Sequence, residues 1–238
     1  PIPQGVLWDV DGTLVDSTGL AFGASNEVLA AEGYAQITEE QYKAGCVYTT
    51  PDRFNHHIGR PVGDPEGARL GELFNEMYIS RVSPETAGLF PGMWALLSSL
   101  GFDGHPQGAV SNAAGAYVRA VAEANKLAQV PGWGSSPFGS LALGADDLRF
   151  PKPRPEGVIK ACEWMEAAVG ATVYIGDGPT DGQAARAAGM RSIGVLWGAN
   201  SAETLRPHFD FLVGDLTELK STLFRMGYGS SDTPLSPP

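Results

Sequence analysis

Residues 5–17 read GVLWDVDGTLVDS: a short apolar run ends in two carboxylates, Asp9 and Asp11, and passes directly into Gly12 and Thr13. Side chains alternate along a strand, so if Val6, Leu7 and Trp8 form a buried strand, positions 9 and 11 tend to project to the same side. Two like charges about 4 Å apart repel by roughly 4 kcal/mol at an effective dielectric of about 20. Such a pair therefore calls for a cation, a shared proton or full solvation.

Beyond residue 92 the chain alternates β-branched runs with longer helical patterns. QGAVSN, GSLALG, TVYIGD, RSIGVLWG and DFLVGD read as strands; WALLSSLG, AYVRAVAEANKL, PEGVIKACEWMEAA, TDGQAARAAGM and LTELKSTLFRMG read as helices. Strands and helices taking turns predict βαβ crossovers, an α/β class and a doubly wound parallel sheet covered on both faces. Gly101, Gly189 and Gly227 are placed to end helices in left-handed caps. Residues 17–87 break the rhythm, with the helical patterns AFGASNEVLAAEG, TEEQYKAG and EGARLGELFNEMYISRV and no good strand between them. They predict a small helical insert between two parts of one core, 1–16 and 88–227. Gly88 and Pro91-Gly92 supply turn chemistry for a hinge beneath a mobile cover. Residues 228–238 offer little to bury and read as a flexible tail. The Gly-, Pro- and Ser-rich loop 130–139 carries no readable role.

The 238 residues include 16 basic and 27 acidic side chains, a formal charge of −11. That balance excludes nucleic acid or an anionic membrane as the main partner. Cys46 and Cys162 are too few and too far apart for a disulfide framework or a cysteine zinc site, which fits a reducing compartment. The absence of an apolar run near the roughly 20 residues of a membrane span, or of a signal-peptide pattern, predicts a soluble, cytoplasmic protein.

In open α/β sheets ligands bind beyond the carboxyl ends of the strands. The polar residues that follow strand-like runs are Asp9, Asp11, Gly12 and Thr13; Ser111 and Asn112; Lys152; and Asp177 with Asp181. Acidic oxygens from two strands suit a hard cation such as Mg2+, which keeps waters and binds phosphate-bearing substrates. Lysine, a hydroxyl and free amides suit the phosphate oxygens, leaving one carboxylate to attack phosphorus. Ser111-Asn112 also suits a cap for the following helix, and Asp177 and Asp181 suit a helix N-terminal turn.

The ordered set DVDGTLVDS, SN, KPRPEG and GDGPTD resembles the four motifs of the haloacid dehalogenase superfamily, and the likeness runs to about residue 227. The insert resembles the cap of the phosphoglycolate phosphatase and β-phosphoglucomutase group. The resemblance implies a Rossmann-like core and a Mg2+-dependent phosphatase acting on a small phosphorylated metabolite. It implies Asp9 as the nucleophile that forms an aspartyl-phosphate and Asp11 as general acid/base. Ser111 and Lys152 would bind the phosphoryl group, helped by amides around Gly12, Thr13 and Asn112. Mg2+ would be held by the Asp9 carboxylate, the Asp11 backbone carbonyl and Asp177, with Asp181 orienting a metal-bound water or Lys152. Asp11 distinguishes this pattern from metal-free dehalogenases and from phosphonate-cleaving members, which resemble it but usually carry an aromatic residue or Ala there. GDGPTD is a looser fourth motif that keeps the Asp-x-x-x-Asp spacing. A phosphosugar mutase, a pyrophosphatase and a phosphoacceptor or binding protein on the same fold are the alternatives.

Other features read as structural. His56-His57 lacks a third ligand at useful spacing and suits a surface or packing role. Trp94, Trp133, Trp164 and Trp197 suit packing. Arg53, Arg60 and Arg69 in the insert serve either solubility or a substrate carboxylate or second phosphate.

Overall fold

The computed structural model describes residues 4–137 and 139–229. In chain order the elements are β1 (Val6–Trp8), β2 (Val15–Asp16), α1 (Thr18–Ala31), α2 (Glu39–Gly45), α3 (Thr50–His57), α4 (Pro65–Ser80), β3 (Gly88–Leu89), α5 (Met93–Phe102), β4 (Gln107–Val110) and α6 (Gly115–Ala124). They continue with β5 (Ser135–Ser136), β6 (Gly139–Ser140), β7 (Ala142–Leu143), α7 (Glu156–Trp164), β8 (Val173–Gly176), α8 (Pro179–Ala188), β9 (Arg191–Val195), α9 (Ala202–Leu205), β10 (Phe211–Val213) and α10 (Leu216–Arg225).

Six strands form one parallel sheet in the order β10-β9-β8-β1-β4-β7. Every residue of β1, β4 and β8 is buried, as expected of parallel strands covered on both faces. Val6 and Trp8 enter one apolar cluster and Leu7 the other, so alternation along β1 feeds both layers. The strand order reverses at β1, and Asp9, Ser111 and Asp177 each follow the carboxyl end of β1 or one of its two neighbours.

Helices α1–α4 lie between β2 and β3, and these two short strands pair antiparallel, Val15 with Leu89 and Asp16 with Gly88. The chain entering the helical segment is thus bonded to the chain leaving it. Helix α3 has no apolar patterning that marks it; Pro51 stands in its first turn, where a missing N–H costs nothing. GSLALG divides between β6 and β7 instead of forming one strand. Of the loop 130–139, residues 132–134 run beside β4, with Gln107 N–H donating to Gly132 and Gly134 N–H to Gln107.

Gly189 caps α8 at φ 76°, and Gly227 follows α10 at φ 92°. Gly101, expected as a cap, instead lies inside α5, where a Cβ would strike the Pro131 carbonyl. Trp94 is 39% exposed, against a packing role, whereas Trp133, Trp164 and Trp197 pack on the core clusters. The tail starts later than expected. Tyr228 is buried and donates to the Ala171 carbonyl at 2.7 Å, and Gly229 N–H donates to His105; residues 230–238 lie outside the described residues. No helix among the described residues is long and apolar enough to cross a membrane.

Candidate active site

The expected crowding of acids exists, but Asp11 is not part of it. Carboxylate oxygens of Asp9, Asp177 and Asp181 lie within 4.8 Å of one another. β1 stops at Trp8 and Gly12 turns the chain at φ 73°, so strand alternation does not carry through to Asp11. Its Oδ1 instead accepts from Ser17 Oγ at 2.5 Å and Tyr117 Oη at 2.5 Å.

Lys152 ties the three-acid group together. Its three N–H donors are shared among four oxygens within reach: Asp9 Oδ1 at 2.9 Å, Asp181 Oδ1 at 2.6 Å, the Val110 carbonyl at 2.9 Å and Tyr174 Oη at 2.9 Å. Tyr174, on β8, donates in turn to the Val110 carbonyl at 2.6 Å. Lys152 is joined to Pro153 by a cis peptide bond and is 4% exposed. Burial alone would lower its pKa; Asp181 and Asp9 overcome that and hold it well above the usual lysine value.

Burial pushes the Asp9 carboxyl well up, Asp181 adding to the effect and Lys152 opposing it. Asp177 is raised to about 7, first by burial and then by Asp181, while the Ala199 amide works against the rise. Asp177 Oδ2 accepts that N–H at 2.7 Å, and Thr13 Oγ1 lies 3.4 Å from Oδ1. A Cβ on Gly12 would fall 2.5 Å from Asp177 Oδ2, and one on Gly198 would overlap the same carboxylate. Both glycines keep the backbone close to the acid.

A cavity of about 100 Å3 opens here, lined by Asp9, Asp11, Gly12, Ser111, Asn112, Lys152, Asp177 and Asp181 from the core. Arg53, Tyr42 and Phe74 line it from the helical segment. Thr13 is fully buried and does not line the cavity; its hydroxyl faces Asp177. Ser111 Oγ accepts from Ala113 N–H at 3.0 Å rather than capping α6, whose first amide donates to Asp146 at 2.6 Å. Asn112 Nδ2 donates to the Lys152 carbonyl at 2.9 Å. Asp181 does serve the helix start, accepting from Gly178 N–H at 2.9 Å while its other oxygen holds Lys152.

The arginines separate cleanly. Arg60 is exposed beside Asp64 at 3.8 Å and lies outside the cavity lining, and Arg69 pairs with Glu32 and Glu66. Arg53 lies over the rings of Phe74 at 4.9 Å and Tyr42 at 5.2 Å, and its buried Nε and Nη2 have no partner among the described residues. His56 is exposed and His57 half-buried, their rings 5.5 Å apart. Neither belongs to a candidate metal group among the described residues. Sequence reasoning missed Tyr174, Tyr117 and Tyr78, which read as core aromatics, because periodicity marks a buried position without saying where its hydroxyl goes.

An acid cluster bridged by a buried lysine thus stands at the switch point of a parallel sheet. The chain matches the haloacid dehalogenase-like hydrolase family over residues 6–195 and belongs to it; it is a phosphohydrolase enzyme of that family. It is 28% identical over 221 residues to a phosphoglycolate phosphatase of Escherichia coli (strain K12), covering 85% of this chain and 84% of that protein. In fold it resembles a hydrolase from Pseudomonas syringae (TM-score 0.76, 22% identity, covering 93% of this chain and 98% of that one). It also resembles β-phosphoglucomutase from Clostridium difficile (TM-score 0.73, 17% identity, covering 94% and 96%).

Proposed function

We propose that the protein is a Mg2+-dependent phosphatase that hydrolyses a small phosphomonoester through an aspartyl-phosphate on Asp9. The observation that carries this reading is Lys152 Nζ bridging Asp9 and Asp181 beside Asp177, with Asp11 on the same cavity.

Two buried carboxylates and a partly buried one against one ammonium leave excess negative charge, and hard oxygen donors match Mg2+. Asp9, Asp177 and the Asp11 backbone carbonyl would hold the ion, which when bound offsets charge on the acids and on the phosphoryl oxygens. Asp181 has both oxygens engaged, one by Lys152 and one by Gly178, and serves to orient Lys152.

Asp9 attacks phosphorus; an oxygen–phosphorus bond forms as the ester bond breaks, and Asp11 gives the leaving oxygen a proton. Asp11 then takes a proton from water, whose oxygen displaces Asp9 and releases inorganic phosphate. Lys152 and Ser111, with amides near Gly12 and Asn112, hold the phosphoryl oxygens. Helices α1–α4 act as a cap that excludes bulk water until the second step.

Arg53 selects the rest of the substrate. A half-buried arginine whose enclosed Nε and Nη2 lack hydrogen-bond partners favours a second anionic group, so a phosphorylated hydroxy acid such as phosphoglycolate is the favoured substrate. The relative from Escherichia coli agrees with that choice, and two free cysteines accord with a cytoplasmic setting.

The test is phosphate release from phosphoglycolate, sugar phosphates and pyrophosphate, with Mg2+ and with chelator, alongside Asp9→Asn. Metal-dependent release, fastest with phosphoglycolate and abolished in D9N, is expected. Conversion of a sugar phosphate to its isomer without phosphate release would point to mutase chemistry instead. Release surviving both chelation and D9N would overturn the mechanism.

A further inference from the structure

Asp11 Oδ1 receives hydroxyls from two separate sides. Ser17, at the start of the helical segment, donates at 2.5 Å, and Tyr117, on core helix α6, donates at 2.5 Å. Tyr78, on α4 of the helical segment, donates to Tyr117 Oη at 2.8 Å and lies 3.4 Å from the same Asp11 oxygen. The two phenol rings stack at 4.2 Å with 21° between planes, and both residues are buried, Tyr117 completely. Burial holds both phenols protonated well beyond the usual tyrosine range, so each has a proton to donate.

This arrangement joins α4 of the helical segment to α6 of the core through the side chain of one acid. Stacking alone fixes ring positions and needs no hydroxyls; two Phe residues would stack as well. The hydroxyls add a directional bond to one carboxylate oxygen, and among the hydrogen bonds of the described residues none engages Asp11 Oδ2. A carboxylate gripped at Oδ1 has its rotamer set, and the other oxygen keeps one direction relative to Asp9.

We propose that Tyr117, backed by Tyr78, is a positioning residue that holds Asp11 by Oδ1 so that Oδ2 faces the reacting phosphoryl group, and that seating of α4 against α6 completes this hold. The inference rests on the acid/base role of Asp11 in the preceding subsection. It adds that the helical segment contributes to acid catalysis through a hydroxyl relay as well as by covering the cavity.

The test separates proton delivery from folding by the leaving group. Acetyl phosphate expels a carboxylate that needs no proton; ethyl phosphate expels an alkoxide that does. Release of each leaving group is followed in a single turnover with enzyme in excess, so that hydrolysis of the phosphoenzyme does not enter. Y117F is expected to slow release from ethyl phosphate by about 10–100-fold and from acetyl phosphate by less than threefold, with the enzyme concentration for half-maximal rate little changed. Y78F acts in the same direction but more weakly, and Y78F/Y117F loses less than the product of the two, since both act through one oxygen. Thermal unfolding of each variant monitors folding.

Unchanged release from ethyl phosphate in Y117F, or equal losses on both substrates, would overturn the proposal. D11N distinguishes the two levels. If D11N spares ethyl phosphate, the acid role of Asp11 itself fails; if D11N slows it and Y117F does not, only the positioning role fails.

Discussion

Lys152 Nζ and Asp181 Oδ1 stand 2.6 Å apart with side chains 2% and 1% exposed, which makes this pair the most deeply enclosed ion pair among the described residues. Its consequence is structural as much as chemical. Removing one partner of such a pair leaves a charge with neither water nor counterion, at a cost of about 3–5 kcal/mol. Lys152→Met should lower the denaturant midpoint accordingly with an unchanged slope, and abolish activity even where the variant remains folded. A K152M protein as stable as the wild type would show that the acids find another counterion.

Asp177 contributes to the pH dependence of the ion-free protein. Its folded pKa, about 7, lies above the ordinary 3.8, so between those values the folded state binds more protons than the unfolded chain. Its contribution is therefore fully present below 3.8 and is lost as pH rises through about 7. If Mg2+ binds as proposed it takes the ionised form, so the gain in Tm from saturating Mg2+ should grow from about pH 5.5 to about pH 8. At a hundredfold excess over Kd the full gain is about 2.7 kcal/mol. Equal gains at both pH values would separate Asp177 from the ion.

Arg53 and Arg60 give a paired test of substrate choice. Charge-assisted hydrogen bonds are worth about 1.5–3 kcal/mol, so Arg53→Met should reduce kcat/KM for phosphoglycolate by roughly 10–100-fold. Ethyl phosphate, with no second charge, should be nearly unaffected. Arg60→Met should change neither, being exposed and outside the cavity. Equal losses on both substrates in R53M would assign Arg53 to packing under Tyr42 and Phe74.

Gly12 is required twice over, by φ 73° and by the mere 2.5 Å that would separate an added methyl carbon from Asp177 Oδ2. Gly12→Ala should cost about 1–2 kcal/mol from backbone strain alone. Because the carboxylate must also move, Mg2+ affinity measured by calorimetric titration should fall together with Tm. Strain with unaltered affinity would mean that Asp177 relaxes without losing the ion.

What the sequence determined by itself was the α/β class and the set of strand-end residues that meet at one edge. Apolar runs of fixed period mark the strands, and the carboxyl edge of a parallel sheet must gather whatever follows them, so Asp9, Ser111, Lys152, Asp177 and Asp181 are legible in the chain itself. Helix α3 is not, since Pro51 reads as a breaker until its place in the first turn is seen.

Tertiary structure alone decided the partners. Asp9 and Asp11 look equivalent two positions apart, yet one meets Lys152, 143 residues away, and the other Tyr117, 106 residues away. The same holds for Arg53 against Arg60, and for the hydroxyls of Tyr174 and Tyr78. Periodicity reports only how neighbouring residues face a layer; which hydroxyl or charge lies opposite depends on how distant helices pack, and short-range order carries no trace of that.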